Sequence, residues 1–190
     1  MGFDGAKAGQ MAPGLSVVET AGAGKMATWQ VVEDPTAPSK TKAFGITRNE
    51  NYGHTFNLVL ASGPALLDLD VSVMVRAVAG SEDQGGGPLW RAKDKNNYYV
   101  ARWNPLENNF RVYFVKDGRR KQLKSVKTKL DPKAWHKIRV VMRGPLIECF
   151  LDGKKLLTAR DTTFKRPGAV GLWVKADGKT LFDDLKATEP

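Results

Sequence analysis

Cysteine and histidine are both scarce in this sequence of 190 residues, which has one cysteine and two histidines. A single cysteine excludes an intrachain disulfide, so we expect the apolar core alone to stabilise the fold. Cys149 lies between apolar neighbours in the segment IECFL, and we predict that its thiol is buried and inert. Together with His54 and His136, it offers too few ligands for a typical zinc site.

Long apolar runs are missing as well. No stretch approaches the roughly 18 apolar residues that a membrane-spanning helix needs. The segment MGFDGAKAGQ lacks the apolar core of a signal peptide. We therefore expect no membrane span, and if the protein is exported, we expect that its signal has been removed from this sequence.

A helical period is not sustained over three turns anywhere in the chain. Instead, turn signals such as Asp117-Gly118 and Asp152-Gly153 separate short runs rich in β-branched and aromatic residues. These runs predict about thirteen strands, too many for one open sheet, and thus an all-β fold of two antiparallel sheets packed as a sandwich. We expect one domain over residues 1–190, with its core at about 27–188. The predicted strands are 27–33, 43–48, 55–61, 66–78, 86–92, 98–104, 110–116, 120–126, 135–143, 146–152, 154–159, 169–176 and 180–188.

The hairpin around the loop NPLENN determines which side chains share a face. Centring the turn on this loop pairs Trp103 with Phe110, so one face is apolar and aromatic and is predicted to face the core. The same register places Arg102 directly opposite Arg111 on the second face. Two guanidinium groups in that position repel each other, so a carboxylate from a third strand or an anionic or hydroxyl-rich ligand must compensate them.

A ligand-binding patch is one interpretation of this second face. If the preceding hairpin places Trp90 beside Tyr99 in the core, the residue after Trp90 joins the second face. Aromatic rings stack on sugar rings and arginine forks bind hydroxyls or carboxylates, which is typical of a glycan surface. The alternative is an arginine ladder that forms salt bridges with acids such as Asp68 and Asp70, and the sequence leaves both open. The predicted patch consists of Arg91, Tyr98, Arg102, Arg111 and Tyr113.

Basic residues outnumber acidic ones, thirty to twenty, which gives a formal net charge of +10. This excess favours polyanions, acidic glycans or anionic surfaces as partners. The densest basic stretch is KDGRRKQLKSVKTKLDPK, which has neither an arginine-rich helical face nor an RNA-binding motif with interleaved aromatic residues. We therefore expect solvated hairpin and edge-strand lysines there, and no specific nucleic-acid partner.

Three longer motifs cover much of the chain: GGGPLWRAKDKNNYYVARW, AWHKIRVVMRGPLIECFLDGKKLL and VGLWVKADGKTLFDDLKA. Together they resemble the concanavalin A-like lectin/glucanase superfamily, including its laminin G-like domains, and the resemblance covers most of the chain. The chain also resembles the 3-keto-disaccharide hydrolase-like branch. The resemblance implies a jelly roll of a bacterial exported type, periplasmic or secreted. It also implies a carbohydrate or another polyhydroxyl ligand on the concave sheet face or nearby loops, with an anionic glycan as a further candidate.

Glucanases of this superfamily carry an E-x-D-x-x-E or E-x-D-x-E strand whose alternate carboxylates act as nucleophile and acid. No E-x-D occurs in this sequence, which argues against the retaining glycosidase mechanism. We therefore expect a noncatalytic carbohydrate-interacting domain without a catalytic cofactor. Two alternatives remain: a glycoside hydrolase-like enzyme acting on a keto-sugar or disaccharide, and a protein or polyanion adhesion module.

Two further sites are candidates outside the patch. His54, in or beside a loop, is a candidate ligand-binding residue, with a solvated or loop-ordering role as the alternative. Related jelly rolls often carry a structural calcium near the chain ends, so the resemblance implies a candidate calcium site at Asp4, Asp183 and Asp184. The alternative there is an acidic strand end without metal. His136, at the start of a strand, is expected to pack or form hydrogen bonds.

Overall fold

The computed structural model describes residues 2–190, and within this range it contains fourteen β-strands and no helix. No helix able to cross a membrane is therefore found in residues 2–190. Thirteen strands match the predicted ones to within a few residues, and β1 was not predicted. The strands are β1 Leu15–Thr20, β2 Thr28–Glu33, β3 Lys42–Arg48, β4 Phe56–Ala61, β5 Leu69–Ala79, β6 Gly87–Asp94, β7 Asn97–Asn104, β8 Asn109–Lys116, β9 Arg119–Lys127, β10 His136–Arg143, β11 Leu146–Leu151, β12 Lys154–Arg160, β13 Ala169–Lys175 and β14 Lys179–Thr188.

The strands form two antiparallel sheets of seven strands each, which confirms the predicted all-β sandwich. Sheet A has the order β1-β4-β13-β6-β7-β8-β9, and sheet B has the order β12-β11-β10-β5-β14-β3-β2. Alternating side chains of both sheets meet in one apolar core, as expected when two sheets pack face to face.

The β7–β8 hairpin has the predicted register, and its aromatic face lies in the core between the sheets. Trp103 pairs with Phe110 across the hairpin, and both side chains are fully buried. Trp90 of β6 pairs with Tyr99, and the two rings stack with centroids 5.6 Å apart. The indole N–H of Trp90 donates to the sulfur of Met142 at 3.2 Å, which joins the two sheets.

The surroundings of Cys149 and His136 indicate that both residues support the fold. Cys149 is buried, and burial raises the pKa of its thiol above its ordinary range, which keeps it protonated and unreactive. The two ring nitrogens of His136 lie 2.7 Å from the Asp152 carboxylate and 2.8 Å from the Asp131 carbonyl. His136 thus ties the start of β10 to two turns, as the sequence indicated.

Sheet A is strongly curved. Strands β1 and β7 are separated by three other strands, so in a flat sheet they would lie roughly 19 Å apart. Instead, the hydroxyl groups of Thr20 in β1 and Tyr98 in β7 are 3.0 Å apart, and Thr20 also donates to the Lys95 carbonyl. The face of sheet A that points away from sheet B is therefore concave.

Candidate functional site

The concave face of sheet A has an aromatic floor, formed by Phe56, Tyr98, Tyr113 and Trp173. These four side chains are buried in an apolar cluster separate from the main core. Phe56 and Trp173 have ring centroids 5.1 Å apart, and the indole N–H of Trp173 donates to the Tyr98 hydroxyl at 3.2 Å. Burial raises the pKa of Tyr98 above its ordinary range, so this hydroxyl stays neutral and serves to fix the floor.

Arg120 lies across this floor. Its guanidinium carbon is 4.5 Å from the ring centroid of Tyr113, 5.1 Å from Phe56 and 5.7 Å from Trp173. Because Arg120 belongs to β9 and Phe56 to β4, this one side chain bridges opposite parts of the curved sheet. Burial lowers the pKa of Arg120 from its ordinary value, but arginine stays charged in proteins.

A charged cluster continues the floor toward the end of β7. The Arg102 side chain is 1% exposed, and its two terminal nitrogens lie 3.3 Å from Asp83 and 3.0 Å from Glu107. The same Glu107 oxygen accepts from Arg111 at 3.0 Å, while Lys175 lies 3.3 Å from Asp83. Glu107 is thus the carboxylate that the two opposing arginines share. It comes from the loop of their own hairpin and not from a third strand as expected.

The two carboxylates of this cluster have different environments. Burial raises the pKa of Asp83, although the nearby charges of Arg102 and Lys175 favour its ionised form. Burial also acts to raise the pKa of Glu107, but a hydrogen bond from Asn109 and the neighbouring guanidinium groups outweigh it and lower the pKa. Glu107, whose side chain is 39% exposed, is therefore a charged acceptor open to solvent.

Asp83 is held in place by the loop between β5 and β6. The Asp177 carboxylate accepts hydrogen bonds from three successive backbone N–H groups of this loop, at residues 81–83. At the end of the loop, Gly85 has φ 74°, and a Cβ there would lie 2.2 Å from the carbonyl oxygen of Trp103. Only glycine fits this close approach.

The structure brings together three of the five residues of the predicted patch. Arg102 and Arg111 share Glu107, and the Arg111 guanidinium lies 3.4 Å from the Tyr113 hydroxyl. Tyr98 lies on the same face but is completely buried, so it supports the floor and has no surface for a ligand. The binding role of these residues remains a prediction.

Arg91 lies elsewhere, and its predicted place on this face is wrong. The pairing of β6 with β7 shifts register immediately after Trp90, and Arg91 has φ 45°, so its side chain is turned toward the loops at the edge of the sandwich. There its guanidinium donates to three backbone carbonyls and forms an ion pair with Asp68 at 3.3 Å. The carbonyls belong to Leu67, Gly144 and Phe164.

The two acids that the sequence offered as partners of an arginine ladder are both paired. Asp68 binds Arg91, and Asp70 binds Arg139 on the outer face of sheet B at 2.5 Å. Neither compensates Arg102, whose partners come from the β5–β6 loop and from the turn of its own hairpin.

His54 lies in an exposed turn just before β4. The backbone N–H of its neighbour Gly53 donates to both carboxylate oxygens of Glu82 at 3.0 Å, which places this turn beside the loop that carries Asp83. Within residues 2–190, the His54 side chain has no hydrogen-bond partner, and its role as a ligand-binding residue remains a prediction.

The residues of the predicted calcium site contact other groups of the protein. Carboxylate oxygens of Asp4 and Asp183 lie 2.8 and 3.0 Å from the hydroxyl of Ser39, which has one proton to donate, while Asp184 lies 3.6 Å from Lys186. No group of three His, Cys, Asp or Glu side chains able to hold a metal occurs in residues 2–190. Protein donors thus already occupy these oxygens, and a structural calcium remains an untested prediction.

Four residues of the cluster were missed in the sequence. Glu107 stands four positions before Arg111 inside the hairpin loop itself, so the predicted turn already contained it. Arg120 pairs with Val115 across the β8–β9 hairpin, so the alternation of β9 could have placed it on the second face. Asp83 and Lys175 come from distant segments, and no local signal connects them to the patch.

Solved structures share this fold. Carbohydrate-binding module CBM66 from Bacillus subtilis superposes with a TM-score of 0.70 and 18% identity, covering 92% of this chain and 94% of that chain. Domain 4 of AbnA, a GH43 extracellular arabinanase from Geobacillus stearothermophilus in complex with arabinotriose, has a TM-score of 0.60 and 13% identity, with coverages of 95% and 84%. The exoplasmic/lumenal domain of VIP36 in its Ca²⁺/Man-bound form superposes with a TM-score of 0.61 and 12% identity, covering 94% of this chain and 84% of that chain.

These similarities show that the chain has the concanavalin A-like lectin/glucanase jelly-roll fold, as the sequence resemblance indicated. At the level of sequence, no protein-family model and no curated protein matches.

Proposed function

We propose that the protein is a noncatalytic carbohydrate-binding domain that holds its ligand on the concave face of sheet A. The observation that carries this proposal is the recessed arginine and carboxylate cluster beside an aromatic floor. Guanidinium groups donate to sugar oxygens, and a carboxylate accepts from sugar hydroxyls. The fold gives further support, because its neighbours include a carbohydrate-binding module and a domain in complex with arabinotriose.

Arg111 and Glu107 are two residues of the cluster that a ligand can reach directly. Their side chains are 30% and 39% exposed, and both lie at the mouth of the concave face. Arg102 is buried behind them and fixes the Glu107 carboxylate at 3.0 Å. We infer that Arg111 and Glu107 contact the sugar, and that Arg102 positions Glu107.

The surroundings of Asp83 support binding over hydrolysis. A glycosidase needs two carboxyl groups that reach the scissile bond. The oxygens of Asp83 already face Asn104 at 3.0 Å, and Arg102 and Lys175 at 3.3 Å, and its side chain is 1% exposed. Asp83 therefore cannot pair with Glu107 as a catalytic acid. A binding domain of this kind would act where polysaccharides are found, in the periplasm or outside the cell.

Two arginine variants on opposite faces of the sandwich test the proposal. We expect Arg111→Ala to weaken binding of a glycan found by array screening by about tenfold or more, at an unchanged melting temperature. Arg139→Ala removes the same side chain from the outer face of sheet B and should leave affinity unchanged. Isothermal titration calorimetry measures both, and equal losses in the two variants would place the ligand elsewhere.

A polyanion adhesion module is a second candidate, which the edge strand β9 favours. Its lysines at 121, 124 and 127 are exposed, and no acidic residue occurs between Gly118 and Leu130. Binding through this edge would depend steeply on salt. Affinity for heparin that disappears at physiological salt and in Lys124→Gln would support this candidate, and salt-resistant binding of a neutral glycan would contradict it.

A further inference from the structure

The charged cluster of the concave face contains four cationic side chains. Three of its four cationic groups pair with the carboxylates of Asp83 and Glu107, and a third carboxylate, Glu82, lies at the rim 3.8 Å from Lys175. These charges lie in a recessed position, where solvent screens them weakly. The cationic residues are Arg102, Arg111, Arg120 and Lys175.

The Arg120 side chain has no hydrogen-bond or ion-pair partner within residues 2–190, whereas the other three cations each bind a carboxylate. Its Nη1 is buried without an acceptor, as is the Nε of Arg102. The remaining nitrogens of Arg120 are also unpaired, but they are not among the buried atoms, so they can be approached from solvent. Buried guanidinium groups are normally paired, because an uncompensated charge is expensive to desolvate.

We propose that the ligand of this face is an acidic sugar whose carboxylate pairs with Arg120. This inference rests on the proposed function and specifies the chemical class of the ligand. A carboxylate matches the planar fork of a guanidinium group and would supply the acceptors that Arg120 lacks. The rings of Tyr113 and Trp173 lie below the Arg120 guanidinium. The ion pair would therefore form beside apolar side chains, where water screens it poorly.

The position of Glu107 favours a ligand with one negative charge per sugar and disfavours a densely sulfated chain. Its exposed carboxylate lies in the same cluster as the guanidinium groups and would repel a closely spaced array of sulfates. A uronic acid uses both kinds of group, because its carboxylate binds a guanidinium and its hydroxyls donate to Glu107. A neutral sugar would leave the charge of Arg120 uncompensated.

Matched acidic and neutral polymers test this inference on the wild-type protein. The probes are polygalacturonate, alginate and hyaluronan, each beside its carboxyl-reduced form, with titration calorimetry at about 150 mM salt. We expect at least one acidic polymer to bind about tenfold or more tightly than its reduced form. Equal affinity for the acidic and reduced forms of every polymer that binds would overturn the inference.

Two charge-matched variants locate the effect. Arg120→Gln should remove the preference for the acidic form, whereas Lys154→Gln, in the exposed edge strand β12, should keep it. Equal weakening in both variants, together with equally strong binding of heparin, would mean general attraction of polyanions and would overturn the inference. Melting temperatures show whether each variant folds, and the wild-type comparison stands without them.

Neutral glycans separate this inference from the function on which it rests. If arabinotriose or a mannose oligosaccharide binds, is lost in Arg111→Ala and is not surpassed by any acidic polymer, the concave face binds carbohydrate but the ligand is not acidic. If no glycan of either kind binds, the proposed function and the acidic ligand are both wrong.

Discussion

The outer faces of the two sheets carry the same kinds of residues but use them differently. On sheet B, Arg139 binds Asp70 at 2.5 Å and Lys155 binds Glu148 at 2.8 Å, and both cations are about half exposed, at 43% and 52%. Each of these cations has its own carboxylate. On sheet A, two arginines share Glu107 and a third has no anionic partner within residues 2–190. An arginine in a strand therefore indicates a site only when its burial and its pairing are known.

The energetic consequence of this difference can be measured. Exposed ion pairs contribute about 0–1 kcal/mol to stability, because water screens them. Removing one partner of a buried pair leaves an uncompensated charge and destabilises by about 3–5 kcal/mol. Breaking the buried ion pair of Arg102 on the concave face should therefore have a large effect on stability, and breaking the exposed pairs of sheet B a small one.

Asp83→Ala should have the largest effect. It leaves Arg102 and Lys175 facing each other without their shared carboxylate, so we expect the free energy of unfolding to fall by about 3–5 kcal/mol. The matched variant on sheet B, Asp70→Ala, should lower it by less than about 1 kcal/mol. Urea denaturation measures both, and similar losses in the two variants would remove the distinction between the faces.

Glu107→Gln should have an intermediate effect. The amide keeps the shape and one acceptor, but Arg102 and Arg111 lose the charge that they share, and we expect a loss of about 1–2 kcal/mol. Glu148→Gln breaks a pair with an exposed lysine on sheet B and should change stability by less than about 0.5 kcal/mol. Denaturation at low and high salt checks this, since only the effect of Glu148→Gln should vanish with added salt.

The loop that positions Asp83 makes a smaller contribution to the stability of the fold, and this contribution depends on pH through Asp177. Burial opposes ionisation of Asp177, but hydrogen bonds from the backbone of Ser81, Glu82 and Asp83 outweigh it and lower its pKa below 3.8. A lowered carboxylate pKa stabilises the folded state above that ordinary value, and the stabilisation is lost as the pH falls. Asp177→Asn should therefore be about 1 kcal/mol less stable than wild type at neutral pH.

This difference should shrink as the pH falls through 3.8 and below, because the wild-type carboxyl then becomes protonated as well. Thermal unfolding of both proteins across this range measures it. A difference that stays constant with pH would show that shape, not charge, holds the loop.

The strands and the core could be predicted from the sequence because alternation and turn residues are local. The register of the β7–β8 hairpin followed from its turn, and with it the opposing Arg102 and Arg111. Strand β1, LSVVET, was missed, although the edge strand β2, which is no longer than β1, was predicted. The misplacement of Arg91 has a structural cause, since a bulge changes the face of a residue without a signal that alternation can detect.

The charged cluster could be predicted only in part, because the curvature of sheet A brings together residues that are distant in the sequence. Lys175 and Asp83 reach Arg102 from other strands and loops, and Arg120 reaches Phe56 only because sheet A bends. A stretch of lysines and arginines around position 120 indicates solvated charge in a flat sheet. In the curved sheet, one of these residues is turned inward over aromatic rings.

Arg120→Met should have the smallest effect on stability, and one of opposite sign. It replaces a partly buried cation without a counter-ion by an apolar side chain of similar length above the same rings, so we expect a gain of about 0.5 kcal/mol. Arg139→Met on sheet B loses a paired cation and should give no gain. A residue that lowers stability while it faces a concave site indicates selection for function, since binding sites often retain unfavourable groups. If Arg120→Met proves clearly less stable than wild type, the guanidinium is held by its contacts with the aromatic floor, and the concave face would then resemble the self-sufficient ion pairs of sheet B.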